Sequence, residues 1–419
     1  MSSIARPLAH MPYFEKLAEL ANDTPEWRSV SAALVMLRLF DSWMTTGAEA
    51  VFDDAPGLNA VRDQIAAMDI HDTTRGLLSS IVESMVIAEQ PRIVTVAPRL
   101  MAYARALQHA AKWQLAADIY RTVLSYAKPI GDAETVIQAN MQLGRCLRVL
   151  AEWDESLTCF AAASQVATMT DDVMSILRAR IQEANISIDR GNLPHAEVLL
   201  DETIVQAKEA GLSEVRATAI HDRARVASRR GRYEDAVVMQ YEALKGVRNQ
   251  MARDRVLNDL GASFAQLGIF TAARDAFLVV AATAQEQYMR WTATLNLLDV
   301  AVQERRETLV EQYRRDLDGA ALPPTLLTYY FIYMAQGHRA FDQLPLAKAA
   351  VNRAIEVATQ NQLGQLRFEA EELFGELESQ ELDEVRETRK AERKATWSSE
   401  VDGIATALHE LRTMAGVQE

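Results

Sequence analysis

The sequence predicts an all-α protein built from repeated pairs of antiparallel helices. Three observations support this fold class: helix-breaking residues are rare, similar segments recur at a regular interval, and each segment has helical periodicity. Between Gly131 and Leu322 the chain contains one proline, Pro194. Because proline breaks backbone hydrogen bonding inside helices, a stretch this long with one proline favours a run of helices.

The composition indicates an ordered protein and argues against several classes of function. Of the 419 residues, 49% are hydrophobic and only 7% are aromatic, which favours close helix–helix packing. The net charge of −14 repels phosphate backbones, so we do not expect a nucleic-acid partner. Two cysteines, Cys146 and Cys159, are too few for a disulfide framework or a zinc cluster. Without a signal-like or membrane-length apolar run, we expect a cytoplasmic protein with no membrane partner.

Similar segments begin at regular distances along the middle of the chain. The first four begin 40 residues apart, at Ala111, Ala151, Gly191 and Gly231. A fifth begins at Gly268, 37 residues later, and a sixth at Asp342, a further 74 residues on. We interpret the residues between them, around 291–317, as a degenerate repeat.

Large and small residues alternate in the same order within these segments. A bulky residue stands two positions after the start, at Trp113, Trp153, Leu193, Tyr233, Phe270 and Leu344. A small residue follows three positions later, at Ala116, Ser156, Ala196, Ala236, Ala273 and Ala347. Four positions further on stand Tyr120, Phe160, Leu200, Phe277 and Val351, with Gln240 as the exception. The pattern predicts a tight turn that opens an amphipathic helix, whose small residue lets a partner helix approach.

The segment before each turn has a signature of its own. Leu143-Gly144 and Leu260-Gly261 are followed three residues later by Leu147 and Phe264, and alanine replaces the glycine elsewhere. Together these positions resemble the tetratricopeptide repeat (TPR) consensus, W-x2-L-G-x2-Y and then A-x3-F, over about Pro98–Leu363. The resemblance implies a right-handed superhelical TPR-like solenoid of antiparallel helix pairs. The period exceeds the usual 34 residues, as in longer repeats of bacterial peptide-sensing regulators and signalling adaptors.

The two ends of the chain do not carry the signature clearly. We therefore predict an N-terminal helical region over 1–95, consisting of degenerate repeats or a small bundle. The solenoid is predicted over 96–363, and capping, charged helices over 364–419. The last region has an apolar stripe, Leu366, Ala370, Leu373 and Leu377, and a basic run at 386–394. Capping helices are needed at solenoid ends, and a dimerising or partner-binding helix is the alternative.

No constellation of residues indicates an enzyme, a cofactor or a metal site. The phosphate-binding, dinucleotide-binding and zinc-protease motifs are absent, and none of the seven histidines has a second histidine at metal-ligand spacing. The string His409-Glu410-Leu411-Arg412-Thr413 matches the phosphoacceptor box of sensor histidine kinases. No nucleotide-binding domain follows it, so we expect coincidence or a remnant rather than kinase activity. The second hypothesis for the whole chain is accordingly a sensory or regulatory subunit linked to a kinase or cyclase.

The TPR resemblance implies where a ligand would bind. In that family the first helix of each repeat lines a concave groove, and the residue after the Gly/Ala position usually faces it. The predicted ligand-binding residues are Arg105, Arg145, Arg148, Asn185, His221, Arg225, Arg229 and Asn258. Arginine matches carboxylates with a planar fork of donors, so these residues predict a non-catalytic adaptor for an acidic protein or peptide.

A competing interpretation is that the arginines pair with neighbouring acids, namely Asp189, Asp222 and Asp259. The terminal helices could also form a homodimer.

Overall fold

A computed structural model describes residues 9–46, 56–88, 92–320, 322–361, 363–382 and 398–417. These residues form twenty helices and no strand. The chain divides into two compact units, Met1–Leu199 and Leu200–Glu419. None of the described helices combines the length and the apolar character that crossing a membrane would require.

The first unit holds nine complete helices. They are α1 (Met11–Glu19), α2 (Pro25–Thr46), α3 (Pro56–Ala66), α4 (Arg75–Ile87), α5 (Ile93–His109), α6 (Trp113–Ile130), α7 (Ala133–Val149), α8 (Trp153–Met169) and α9 (Val173–Asp189). The boundary between the units falls within α10 (Leu193–Glu209).

The second unit continues the same alternation of helices. It holds α11 (Ser213–Arg229), α12 (Tyr233–Gly246), α13 (Gln250–Gln266), α14 (Phe270–Thr283), α15 (Gln287–Gln303), α16 (Glu307–Asp316), α17 (Pro324–Ala340), α18 (Leu344–Gln360), α19 (Gly364–Leu382) and α20 (Ser399–Met414). From α5 onward we call the odd-numbered helix of each pair, up to α17, its first helix and the even-numbered one, up to α18, its second helix.

Three-residue turns join the two helices of each pair, and each turn has a left-handed residue at its centre. Ala111 and Ala151 have φ angles of 58° and 61°. The backbone N–H of the next residue donates a hydrogen bond to a carbonyl of the preceding helix. Lys112 donates to Leu107 at 2.8 Å, and Glu152 donates to Leu147 at 2.9 Å. These bonds cap the carbonyls at the end of the first helix, and consecutive helices then pack against each other. The all-α class and the TPR-like antiparallel helix pairs are therefore confirmed.

The region interpreted as a degenerate repeat forms a complete helix pair. Its turn is centred on Arg305, with φ 54°, which lies 37 residues after the left-handed Gly268 and 37 before the left-handed Asp342. Helix α16, which follows this turn, has 10 residues, whereas α18 has 17. The truncated second helix explains why the signature is weak here.

The small and large positions of the signature meet between the two helices of a pair. In α7 and α8 the Phe160 ring lies directly on Gly144, where a Cβ would be 2.6 Å from the ring. The Ser156 hydroxyl, at the small position, donates to the Gly144 carbonyl at 2.7 Å. The signature therefore records how closely the two helix axes approach.

Helices α1 and α2 pack on α6 through a buried histidine and a ring pair. His10 contacts the carboxylates of Asp118 at 2.6 Å and Asp41 at 3.1 Å. The rings of Phe40 and Tyr126 meet edge to face with centroids 5.5 Å apart. The N-terminal helices are therefore part of the packed core of the first unit.

Helix α20 returns to the second unit and packs on the second helices α12 and α14. Its buried face consists of Val401, Ile404 and Leu408. Asp275 is 2% exposed, and its carboxylate lies 3.1 Å from Arg412 Nε and 3.2 Å from His409 Nδ1 of this helix. Before it, α19 buries the predicted stripe of Leu366, Ala370, Leu373 and Leu377. The basic run at 386–394 lies outside the described residues.

Candidate functional site

First helices of neighbouring pairs lie side by side, and polar side chains connect them at one-repeat spacing. The Gln108 amide donates to Cys146 Sγ at 3.1 Å between α5 and α7. His221 Nε2 lies 2.9 Å from Asp259 Oδ2 between α11 and α13. All these partners are 38 residues apart, so the repeat itself brings them together.

In the first unit, the predicted arginines are placed differently from the predicted asparagine. Arg105 and Arg145 are exposed on α5 and α7. Arg148 is partly buried and lies 3.4 Å from Asp189 of α9. Asn185 is only 5% exposed, so its amide does not face solvent. Among the predicted residues of this unit, the exposed cations are therefore Arg105 and Arg145.

The cysteine on α7 belongs to the packing rather than to a reactive site. Burial raises the pKa of the Cys146 thiol to about 11, and the hydrogen bond from Gln108 offsets only part of that effect. Burial likewise raises the pKa of Cys159. Thiols that remain protonated at neutral pH are poor nucleophiles.

In the second unit, α11 carries three of the predicted residues. Arg225 pairs with Asp222 at 3.1 Å, and Arg229 is exposed one turn further along. Burial alone would lower the pKa of His221, but the hydrogen bond and the charge of Asp259, helped by Asp222, outweigh it and raise that pKa above 6.5. Asp222 therefore pairs with an arginine, as in the competing interpretation, whereas Asp259 contacts His221.

Asn258 on α13 binds another amide that the sequence reasoning did not select. The Asn296 Nδ2 of α15 donates to Asn258 Oδ1 at 2.9 Å. Asn296 stands 38 residues after Asn258, and this spacing could have identified it. The spacing was hard to recognise because the repeat around Asn296 is degenerate. The two amides form a polar pair on adjacent first helices.

Arg225 and Arg229 line a cleft of about 390 Å³ between α11, α12 and α13. Its wall also includes Ser228, Gln240, Asp259 and Ser263. Arginine forks beside small polar residues can take up a carboxylate together with its hydrogen-bonding neighbours. The cleft is where two predicted residues of this unit, Arg225 and Arg229, border a volume large enough for a ligand group.

A second cleft, of about 530 Å³, lies beside the truncated helix α16. Its lining includes Arg314, Met334 and Phe341. Glu311 binds the Arg314 guanidinium through two bonds of 2.7 and 2.8 Å. Arg315 also lines this cleft 3.5 Å from the same carboxylate, and Glu307 lines it too. Because acids accompany both arginines, this cleft is less suited to an anionic ligand than the one beside Arg229.

Two acids and two tyrosines lie close together on α15, α17 and α19 of the second unit. Burial, together with the charge of Glu369, raises the pKa of Asp299 to about 6, although Gln303 donates to it at 2.9 Å. The rings of Tyr329 and Tyr333 stack beside it with centroids 5.8 Å apart. This cluster around Asp299 is acidic and aromatic, in contrast to the arginines of α11.

Comparison with known proteins finds similarity in structures only. No family model matches the sequence, and no curated protein matches it. The apo form of the quorum sensor NprR from B. thuringiensis is similar at 12% identity, with 82% of this chain and 91% of that chain covered and a TM-score of 0.49. The apo form of RapI is similar at 12% identity, with 80% and 99% covered and a TM-score of 0.49.

A third similar structure is a Rap protein complexed with competence and sporulation factor. It is 13% identical, with 85% of this chain and 99% of that chain covered and a TM-score of 0.40. At these identities and TM-scores the similarities carry no argument, and the fold class rests on the helices described above.

Proposed function

We propose that this chain is a non-catalytic binding protein that recognises an extended, acidic peptide or protein segment. In each unit, taken by itself, the first helices carry the arginines that receive carboxylates. They are Arg105 and Arg145 in the first unit and Arg225 and Arg229 in the second. Charge-assisted bonds from arginine forks are among the stronger polar contacts available to a surface. Such a protein acts as a regulatory adaptor, because binding alters which partners its surface can engage.

The observation that carries this proposal is the cleft beside Arg225 and Arg229. It combines a volume of about 390 Å³ with two arginines and several small polar residues. The acids around Asp299 and Glu369 repel a uniformly acidic ligand. We therefore expect its negative charge to concentrate at α11 and α13 and its neutral or basic end to lie toward α15.

Calorimetry with a library of short Asp- and Glu-rich peptides tests the proposal, with a Lys-rich library as the comparison. The double variant Arg225→Ala/Arg229→Ala should weaken binding of acidic peptides by roughly tenfold or more, because each lost charge-assisted bond costs about 1.5–3 kcal/mol. Arg105→Ala/Arg145→Ala tests the first unit in the same way.

Matched controls come from the second helices. Arg121 and Arg353 are exposed and paired with glutamates, so Arg121→Ala and Arg353→Ala should leave the affinity unchanged. Equal binding of both libraries, or unchanged affinity in both first-helix variants, would contradict the proposal.

A second candidate function is favoured by the environment of His409. Its Nδ1 lies 3.2 Å from the buried Asp275, and its side chain is 57% exposed. A carboxylate at Nδ1 keeps the proton there and leaves Nε2 as the basic, nucleophilic nitrogen. A signalling subunit phosphorylated on His409 would use that nitrogen.

Treatment with phosphoramidate followed by mass spectrometry tests this candidate. Preferential modification of His409 over the exposed His71, lost in Asp275→Asn, supports it. Equal modification of both histidines contradicts it.

A further inference from the structure

Position 240 departs from the packing at the corresponding position of two other helix pairs. Where the first helix has Gly144 or Gly261, the residue sixteen positions later is a phenylalanine whose ring lies on that glycine. The corresponding residues on α11 and α12 are Ala224 and Gln240. A polar side chain therefore stands where an aromatic ring fills the space between helices in two other pairs.

The residues around Gln240 are too small to fill the resulting space. Ser228 and Ser263 approach each other, with their hydroxyl oxygens 3.5 Å apart. Together with Ala262 and Gln240 they line the cleft of about 390 Å³. Gln240 is thus one of the residues that form the wall of this cleft.

Gln240 is buried in this wall with an unsatisfied acceptor. The residue is 1% exposed, and its Oε1 has no hydrogen-bond partner within the described residues. A buried carbonyl oxygen without a donor destabilises the folded protein. A ligand in the cleft that supplies an N–H or O–H donor to this oxygen would remove that destabilisation.

The charged residues that line the same cleft indicate which charge the ligand has. Arg225 and Arg229 line it, and Arg229 forms no ion pair within the described residues. Asp259 also lines the cleft and opposes an anion, but it contacts His221 at 2.9 Å. The unmatched groups are therefore a cation at Arg229 and an acceptor at Gln240.

We propose that this cleft is a subsite for a single ligand residue that carries a carboxylate next to a backbone N–H. The carboxylate binds Arg229 with Arg225 beside it, and the N–H donates to Gln240 Oε1. Two kinds of peptide residue have a carboxylate next to a backbone N–H. One is the C-terminal residue of a chain, and the other is an Asp or Glu within a chain. The inference rests on the proposed binding function and assigns it a specificity-determining residue.

Three tetrapeptide probes, observed by ligand-detected NMR, test the subsite and its two sources. The first probe is tetra-alanine with an acetylated N-terminus and a free terminal carboxylate. The second is acetylated at the N-terminus, amidated at the C-terminus and contains a single Asp. The third is tetra-alanine with the same two blocked ends and has no carboxylate. At least one carboxylate probe should bind saturably and the third should not. Which one binds identifies the source. No saturable binding by either carboxylate probe would overturn the subsite.

Variants at position 240 separate this inference from the proposed function. Gln240→Leu removes the acceptor and Gln240→Phe also fills the cleft, so each should weaken the binding probe by at least tenfold. Gln138→Leu, an exposed amide change on α7, is the control. If the Gln240 variants bind normally while Arg225→Ala/Arg229→Ala does not, the subsite is wrong and the binding function stands.

Stability gives a readout that needs no ligand. If Oε1 is unsatisfied, Gln240→Leu should raise the melting temperature of the ligand-free protein. A lower melting temperature in a variant that still folds would show that the acceptor is satisfied internally, and would overturn the inference.

Discussion

The ring of Phe277 on α14 lies against Gly261 on α13 so closely that a Cβ on the glycine would be 2.7 Å from it. Gly261→Ala should therefore destabilise the second unit by about 1–3 kcal/mol, because the ring cannot move without disturbing a close-packed core. Urea unfolding followed by circular dichroism measures the change.

Gly375→Ala on α19 is the matched control. No atom lies within 4 Å of a Cβ at that position, so alanine should be neutral or stabilise the helix by up to about 1 kcal/mol. Equal effects of the two substitutions would show that the approach of Phe277 does not limit residue 261.

His10 should make the stability of the first unit depend on pH. Burial alone would lower its pKa, but the hydrogen bonds and charges of Asp118 and Asp41 outweigh burial and raise the pKa from 6.5 to about 9. A raised folded-state pKa means that protonation stabilises the fold below about pH 6.5 and that this contribution is lost as pH rises toward 9. The contribution is on the order of 3 kcal/mol.

Urea unfolding at several pH values compares the protein with His10→Gln. The difference in unfolding free energy between them should shrink from pH 6.5 to 9, whereas His71→Gln, at an exposed position, should show no such trend. A pH-independent difference for His10→Gln would refute the paired, protonated histidine.

Asp275 should hold α20 onto the second unit. Asp275→Asn leaves Arg412 and His409 without their carboxylate at 3.1 and 3.2 Å. Losing the ion pair to Arg412 and the hydrogen bond to His409 costs on the order of 2 kcal/mol, so the amides of α20 should exchange with deuterium roughly tenfold faster or more. Asp402→Asn, at an exposed position on α20, should leave exchange unchanged, and unaltered exchange in Asp275→Asn would mean that the apolar face alone anchors the helix.

His221 should make ligand binding depend on pH. It lies beside the cleft among Asp259, Asp222 and Arg225, and its pKa is raised above 6.5. Deprotonation removes positive charge near Arg225, so the affinity for acidic peptides should fall as pH rises through that pKa. Calorimetry across the range should show this fall in the protein but not in His221→Gln; the same slope in both would exclude His221 as its source.

The turns were predictable from sequence because their chemistry is local. Ala111, Gly191 and Gly231 begin recurring segments, and all three adopt left-handed backbone. Arg305 occupies the same conformation but has neither a turn-forming side chain nor a full-length helix after it. Its turn was missed because spacing, rather than residue type, identifies it.

The candidate site was less predictable because it depends on contacts between helices. The arginines were selected by their position in the repeat, and Asp189 was named among the acids that could pair with them. Which arginine pairs with Asp189, and the burial of Asn185, depend on packing that a single sequence does not specify. Gln240 was visible as an exception to the signature. That the exception coincides with a cleft could be seen only in three dimensions.

Hydrogen exchange with and without the tightest acidic peptide shows which helices the ligand covers. A peptide bound along the first helices should protect α11 and α13, over 213–229 and 250–266, with little change in the second helices α12 and α14. Protection centred on α12 and α14, or no protection at saturating peptide, would contradict binding along the first helices.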